Sequence, residues 1–341
     1  MMGADRIWSI AIWTYIIGAL AGSVFYRSRT GMILYLAACF AVACAILWHY
    51  KGKARAVQAA LAGMVLIAAV KLVAPAFRPV YILYMTQLVG IVWIQKLEPR
   101  SLAKTLSVRA IPIRNFLLAA AVSITTLIAL SYVGDMSTLF FRNYVNDTMD
   151  YAAMTPVTAI VFVGVMPALF EEIFFRGYLM QRIPGKKRAL ILSSILFALL
   201  HMNVNQITYA LLAGLLFAVI AARTGSILTT MVIHGLFNSW NLLLTFFTDH
   251  PSALALFKVR LGDYYLLGEN PSFAAGNPPA VLILEGLAVF IFFTALTILC
   301  VRAMKKGDPI LREEGTWKPF PGYYICIGVC ILSTVLRDFV F

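Results

Sequence analysis

The sequence predicts an all-α polytopic membrane protein, and three observations predict it. Of 341 residues, 61% are apolar and only 13% charged, against about 25% charged in a soluble domain. The mean hydropathy is +0.85. Apolar runs of about 20 residues, the length that crosses a bilayer as a helix, recur along the whole chain. A membrane barrel would instead show alternating segments of about ten residues, and these runs are continuous.

The runs lie near 7–26, 31–49, 55–75, 78–95, 114–133, 154–183, 188–202, 207–222, 227–247, 281–302 and 322–341. They predict about 10–11 transmembrane helices. Lys71 weakens the third, and the fourth opens with "RPVY". In the first, Gly18 and Gly22 form a GxxxG pair suited to helix packing. A signal peptide is not favoured there, because Arg27 and Arg29 follow the small-residue stretch and oppose export. The chain divides into an N-terminal transmembrane extension (1–133), a core (154–247), an outer loop (248–280) and C-terminal transmembrane helices (281–341).

The net charge of +13 is distributed as in a membrane protein rather than a nucleic-acid binder. Basic residues collect in "KLEPRSLAKTLSVRAIPIR" (96–114), "RIPGKKR" (182–188) and "RAMKKGDPILREEGTWK" (302–318), as cytoplasmic loops do. Between them, 134–153 and 248–280 are poor in lysine, an alternation that puts the C-terminus outside. The five cysteines lie in or at apolar spans without CxxC spacing, as ordinary buried side chains do. The implied partners are the bilayer and a membrane-associated peptide or protein; no nucleic acid is expected.

Chemistry concentrates in "LFEEIFFRGYLMQ" (169–181). Charges inside a membrane helix cost at least a few kcal/mol, so they face the bundle interior and mark function. Glu171 and Glu172 are about 100° apart on a helix and cannot do the same job. Glu172 and Arg176 are four apart with the acid first, the favourable order for an ion pair. Glu171 has no partner in its own helix and is the better general base. "LFALLHM" sets Phe197 and His201 four apart, and "IHGLFN" sets His234 and Asn238 four apart. Counting about 1.5 Å per residue from the basic turn at Pro184–Lys187 puts Glu171 roughly 20 Å up, His201 roughly 21–23 Å, His234 roughly 12 Å and Asn238 roughly 18 Å. A lone histidine in an apolar helix is more often a hydrogen-bonded core residue than a catalyst. Three motifs at matched depth argue for one polar cavity lined by Glu171, His201, His234 and Asn238.

"EEIFFR", "FALLH" and "HGLFN" resemble the EExxxR, FxxxH and HxxxN motifs of the CPBP family, the CAAX-processing and bacteriocin-processing intramembrane proteases also called Abi or type II CAAX endopeptidases. The resemblance covers about 154–247 and implies a CPBP-type catalytic helix bundle. It implies an endopeptidase acting on a membrane-associated or lipidated polypeptide. Glu171 and His201 would activate water, and His234 and Asn238 would stabilise the oxyanion. Glu172, Arg176 and Phe197 would support them. The family is conventionally termed metalloprotease, and Glu171, His201 and His234 would suffice as zinc ligands, but HExxH is absent. The cofactor is therefore none or zinc, with the metal-free route favoured.

A non-catalytic membrane scaffold of the same fold, or a transporter, stays open. Loss of a catalytic residue would favour the first and inverted repeats the second; neither is evident. The loops suggest a bacterial plasma membrane. The long segment 248–280 contains "ALALFKVRLGDYYLL", whose spacing predicts a short amphipathic outer helix with Tyr264 and Tyr265 at the interface. It is a candidate gate over the site.

Overall fold

A computed structural model describes residues 4–25, 78–97, 101–142, 156–248, 279–311 and 321–335, with single residues or short pieces between 37 and 48 and at 316, 336 and 338. The span expected at 55–75, most of that at 31–49, and the outer segment from 249 to 278 lie outside the described residues. Among the described residues every regular element is helical: an all-α polytopic membrane protein.

The helices are α1 (Ala4–Phe25), α2 (Arg78–Leu97), α3 (Leu102–Leu106), α4 (Ile113–Thr138), α5 (156–182), α6 (Lys186–Leu199), α7 (Val204–Thr224), α8 (Ile227–Thr248), α9 (Pro279–Ala303) and α10 (Pro321–Val335). Helices at Ile113–Thr138, Val204–Thr224 and Ile283–Ala303 are long and apolar enough to cross a membrane. Each expected span within the described residues is a helix.

α5 departs from the single regular helix expected at 154–183. It alternates α-helical turns (Pro156–Ala159, Met166–Glu172) with wide π turns (Ile160–Val165, Ile173–Leu179) and ends in a tight turn at Met180–Arg182. Such π insertions are rare and gather at functional sites. Here they flank the two glutamates on both sides. α2 braces this segment: the Tyr84 hydroxyl donates to the Phe162 carbonyl at 3.1 Å, and its ring stacks on Phe170 at 5.2 Å. Gly164 lets α8 lie close, since a Cβ there would collide with the Ser239 hydroxyl.

α1 packs on α2 through Gly18 of the GxxxG pair and through Gly90. A Cβ on Gly18 would sit 2.9 Å from the Leu83 Cα, and one on Gly90 would sit 2.9 Å from Thr14 Cγ2. α4 lies against α7, α8 and α9. It is tied to the chain after α9 by Asn115, which donates to the Lys305 carbonyl at 3.1 Å and accepts from the Lys305 amide at 2.7 Å. The basic loop at 96–114 contains α3, which the composition did not announce. Gln181 donates to the Leu106 and Arg176 carbonyls, and Ser226 bonds both backbone groups of Arg109. This loop thus forms a floor under α5 and the start of α8.

The α6–α7 turn is tight. Met202 takes a positive φ of 48°. Asn203 caps α7 by accepting from the Gln206 amide at 2.9 Å and donates to Asp338 at 3.0 Å. Asp338 also accepts from the Val204 amide, so a carboxylate meets the positive end of the helix. α7 ends at Gly225, whose φ of +68° closes a left-handed cap.

Candidate active site

The site is built on a charge pair closed off from water. Glu172 and Arg176 are both 0% exposed, and Arg176 Nη1 donates to Glu172 Oε1 at 2.9 Å. This is the pairing that i,i+4 spacing favours. The other fork nitrogen, Nη2, donates to the Gly214 carbonyl of α7 at 2.9 Å. The guanidinium lies over the Phe197 ring at 4.5 Å and faces Phe217 at 5.5 Å, positions in which the ring quadrupoles favour a cation. Breaking a buried pair by removing one partner strands the other charge at a cost of about 3–5 kcal/mol.

Gly214 lets that part of α7 come close because it has no side chain. A Cβ there would lie 3.0 Å from Phe197 Cδ1 and 3.4 Å from the Ser194 backbone. The absent side chain brings α7 onto α6 and Phe197 onto the guanidinium. Neither Gly214 nor Phe217 stood out in the sequence, where each is one more small or apolar residue in a membrane helix.

His234 joins this pair from α8. Its Nδ1–H donates to Glu172 Oε1 at 3.1 Å, and the ring sits 4.9 Å from Phe217 and 5.9 Å from Phe197. With Nδ1 committed, Nε2 is the atom turned outward. It lies 3.7 Å from Glu171 Oε2, beyond direct hydrogen-bond range. Glu171 is 17% exposed where Glu172 is 0%. One carboxylate is therefore locked in the protein, and its chain neighbour stands at the accessible edge beside an imidazole.

His201 lies just past the end of α6, in the turn to α7, rather than within the helix as the span 188–202 implied. Its Nδ1–H folds back onto the Phe197 carbonyl at 3.1 Å, and its ring packs edge-on against Phe197 at 5.2 Å. That bond fixes the tautomer and leaves Nε2 as a free acceptor. Phe197 thus touches His201, His234 and Arg176 at once. Asn238 is one turn beyond His234 on α8, half-buried, with no side-chain hydrogen bond among the described residues.

Each histidine turns Nδ1 to a protein acceptor, which leaves Nε2 as the ring nitrogen available to a proton, a water or a metal. Among the described residues, no three His, Cys, Asp or Glu side chains cluster around a common point.

Residues 153–240 match the family model described as type II CAAX prenyl endopeptidase Rce1-like. No curated protein and no solved structure matches the chain. The matched stretch contains the buried glutamate–arginine pair, both histidines and Asn238, and runs from before α5 to the middle of α8. Over this segment, residues 153–240 of 341, the chain is similar to the CAAX-processing intramembrane proteases.

Proposed function

We propose that the protein is an intramembrane endopeptidase that hydrolyses a peptide bond of a membrane-associated or lipidated polypeptide, in a bacterial plasma membrane. The observation that carries this reading is the division of labour between adjacent carboxylates. Glu172 is consumed by Arg176 and His234, and Glu171 is left at the edge of the site, 3.7 Å from His234 Nε2.

In this reading a water molecule is held by Glu171 and by the free Nε2 of His201. Glu171 removes a proton as the water oxygen bonds to the substrate carbonyl carbon. The resulting oxyanion accepts from Asn238 and from His234 Nε2, donors positioned for charge that develops in the transition state. For that role His234 donates through Nε2 as well as Nδ1, its charge answered by Glu171 before the water is deprotonated and by the oxyanion afterwards. The C–N bond then breaks as the proton held by Glu171 passes to the leaving nitrogen, which departs as an amine. No metal is needed for the proton and charge balance. Glu172, Arg176 and Phe197 act by holding His234 and His201 in position.

The test is cleavage by the purified protein reconstituted in liposomes. The probes are a peptide carrying a prenylated cysteine near its C-terminus and an unmodified membrane-spanning peptide, with products read by mass spectrometry. A new C-terminus in either peptide, absent with Glu171→Ala, is the expected result. Equal cleavage by the Glu171→Ala protein would overturn the assignment, and the peptide preferred identifies the substrate class.

A further inference from the structure

The structure contains a cavity of about 450 Å³ on the opposite side of α7 from the catalytic residues. α7 presents Gly214 and Phe217 to the site already described and Leu212, Leu215 and Val219 to this cavity. The remaining walls include Thr126 and Leu130 of α4 and Phe290, Thr294, Thr297 and Ile298 of α9. Those three helices are the long apolar ones, and α9 is only 17% buried over its most apolar window. α9, one wall of the cavity, is thus the least buried of the three spans and has the most surface left for lipid.

One end is uncharged and the other is cationic. Arg223, at the end of α7, and Arg302, at the end of α9, both line it. Arg223 donates through Nη2 to the Arg302 and Met304 carbonyls, which fixes the guanidinium at the mouth. Its Nε is buried without a hydrogen-bond partner. Among the described residues neither Arg223 Nη1 nor the Arg302 guanidinium has a partner. From Phe290 to Arg302 the cavity runs roughly 18 Å at 1.5 Å per residue, close to one leaflet of a hydrocarbon core about 30 Å thick. The arginine end also carries the basic run 302–306, the side that the charge distribution assigns to the cytoplasm.

From this geometry we infer that the α4–α7–α9 cavity binds an anionic phospholipid of the cytoplasmic leaflet, with an acyl chain against Leu215, Val219 and Ile298 and the phosphate at Arg223 and Arg302. Two cationic forks at one end of an apolar slot match a phosphodiester above a hydrocarbon chain, and basic pockets between transmembrane helices hold anionic headgroups. A zwitterionic lipid would bring a positive group to the same arginines.

The full chain, purified in detergent, is titrated with phosphatidylglycerol or phosphatidylcholine of identical acyl chains, and retained lipid is counted by native mass spectrometry. Phosphatidylglycerol is expected to be retained in preference. Arg302→Gln, whose side chain holds no other described element in place, is expected to lower that retention about fivefold. Leu215→Trp is expected to lower retention of both lipids by filling the slot, with its thermal midpoint measured alongside. Equal retention of the two lipids, or unchanged phosphatidylglycerol retention in Arg302→Gln, would overturn the proposal. Displacement of the lipid by millimolar inorganic phosphate would also overturn it, by making the site one for soluble anions.

Discussion

Glu171 and Glu172 are joined by one peptide bond, yet they belong to different regions of the molecule. The inner region is a sealed stack in which Glu172, Arg176 and His234 share one carboxylate oxygen, held between two phenylalanine rings. The outer region is an edge with fewer ties. Glu171 is partly exposed there, and in the proposed mechanism it works with Asn238, which is half-buried, and with His201, which spends only one nitrogen on the protein. The inner region is closed off from water, and its charges answer one another rather than a substrate. The outer region keeps acceptors and donors unspent. A membrane protease needs both, because polar groups free to react within an apolar bundle must be held by others that are not.

The largest expected effect breaks the inner region. Arg176→Ala leaves Glu172 buried without its cation and should cost about 3–5 kcal/mol of stability, read as a large fall in thermal midpoint in detergent. Replacing both partners together, Glu172→Gln with Arg176→Met, should recover part of that loss, because no lone charge remains. A parent-like midpoint for Arg176→Ala would remove the distinction between the two regions. The next effect belongs to the outer region. Asn238→Ala should lower turnover about 10²- to 10³-fold, the usual cost of an oxyanion donor, with the midpoint unchanged. Unaltered turnover would make Asn238 a bystander on α8.

The inner pair was legible because a helix spacing of four between opposite charges has one economical solution, and the bundle adopts it. The helical spans were legible for the same kind of reason: length and hydropathy act locally. What could not be read depends on contacts across the bundle. The π turns on either side of the glutamates have no spacing signature in an apolar run. Gly214 matters through its carbonyl and through the space it leaves, neither of which has a signature in an apolar run. The position of His201 depends on where α6 stops, and helix ends are set by caps such as Asn203 that lie in the following turn. The short helix at Leu102–Leu106 sits in a loop that reads as basic connector, although it forms the floor under α5.

Smaller effects sharpen the contrast. Gly214→Val drives a branched side chain into the Phe197 ring and should cost about 1–3 kcal/mol. Its turnover should fall as well, since the same ring supports His201 and His234. A midpoint loss with full turnover would show that Phe197 packs the bundle without positioning the histidines. The smallest effect is a control for burial. Arg109 and Asp308 form an ion pair at 3.0 Å, about as short as the inner one, but with side chains 41% and 84% exposed. Arg109→Ala should change stability by less than about 1 kcal/mol. A loss comparable to that of Arg176→Ala would mean that burial is not what separates these pairs.

The most direct measurement compares Glu171→Gln with Glu172→Gln, recording thermal midpoint and peptide turnover on the same preparations. Glu171→Gln should keep the parent midpoint and lose turnover about 10²- to 10⁴-fold, the range for a positioned general base. Glu172→Gln should lose midpoint first, because Arg176 is left as a buried charge without its counterion. Parent-like turnover in Glu171→Gln, together with a stable but inactive Glu172→Gln, would reverse the two roles and contradict the account.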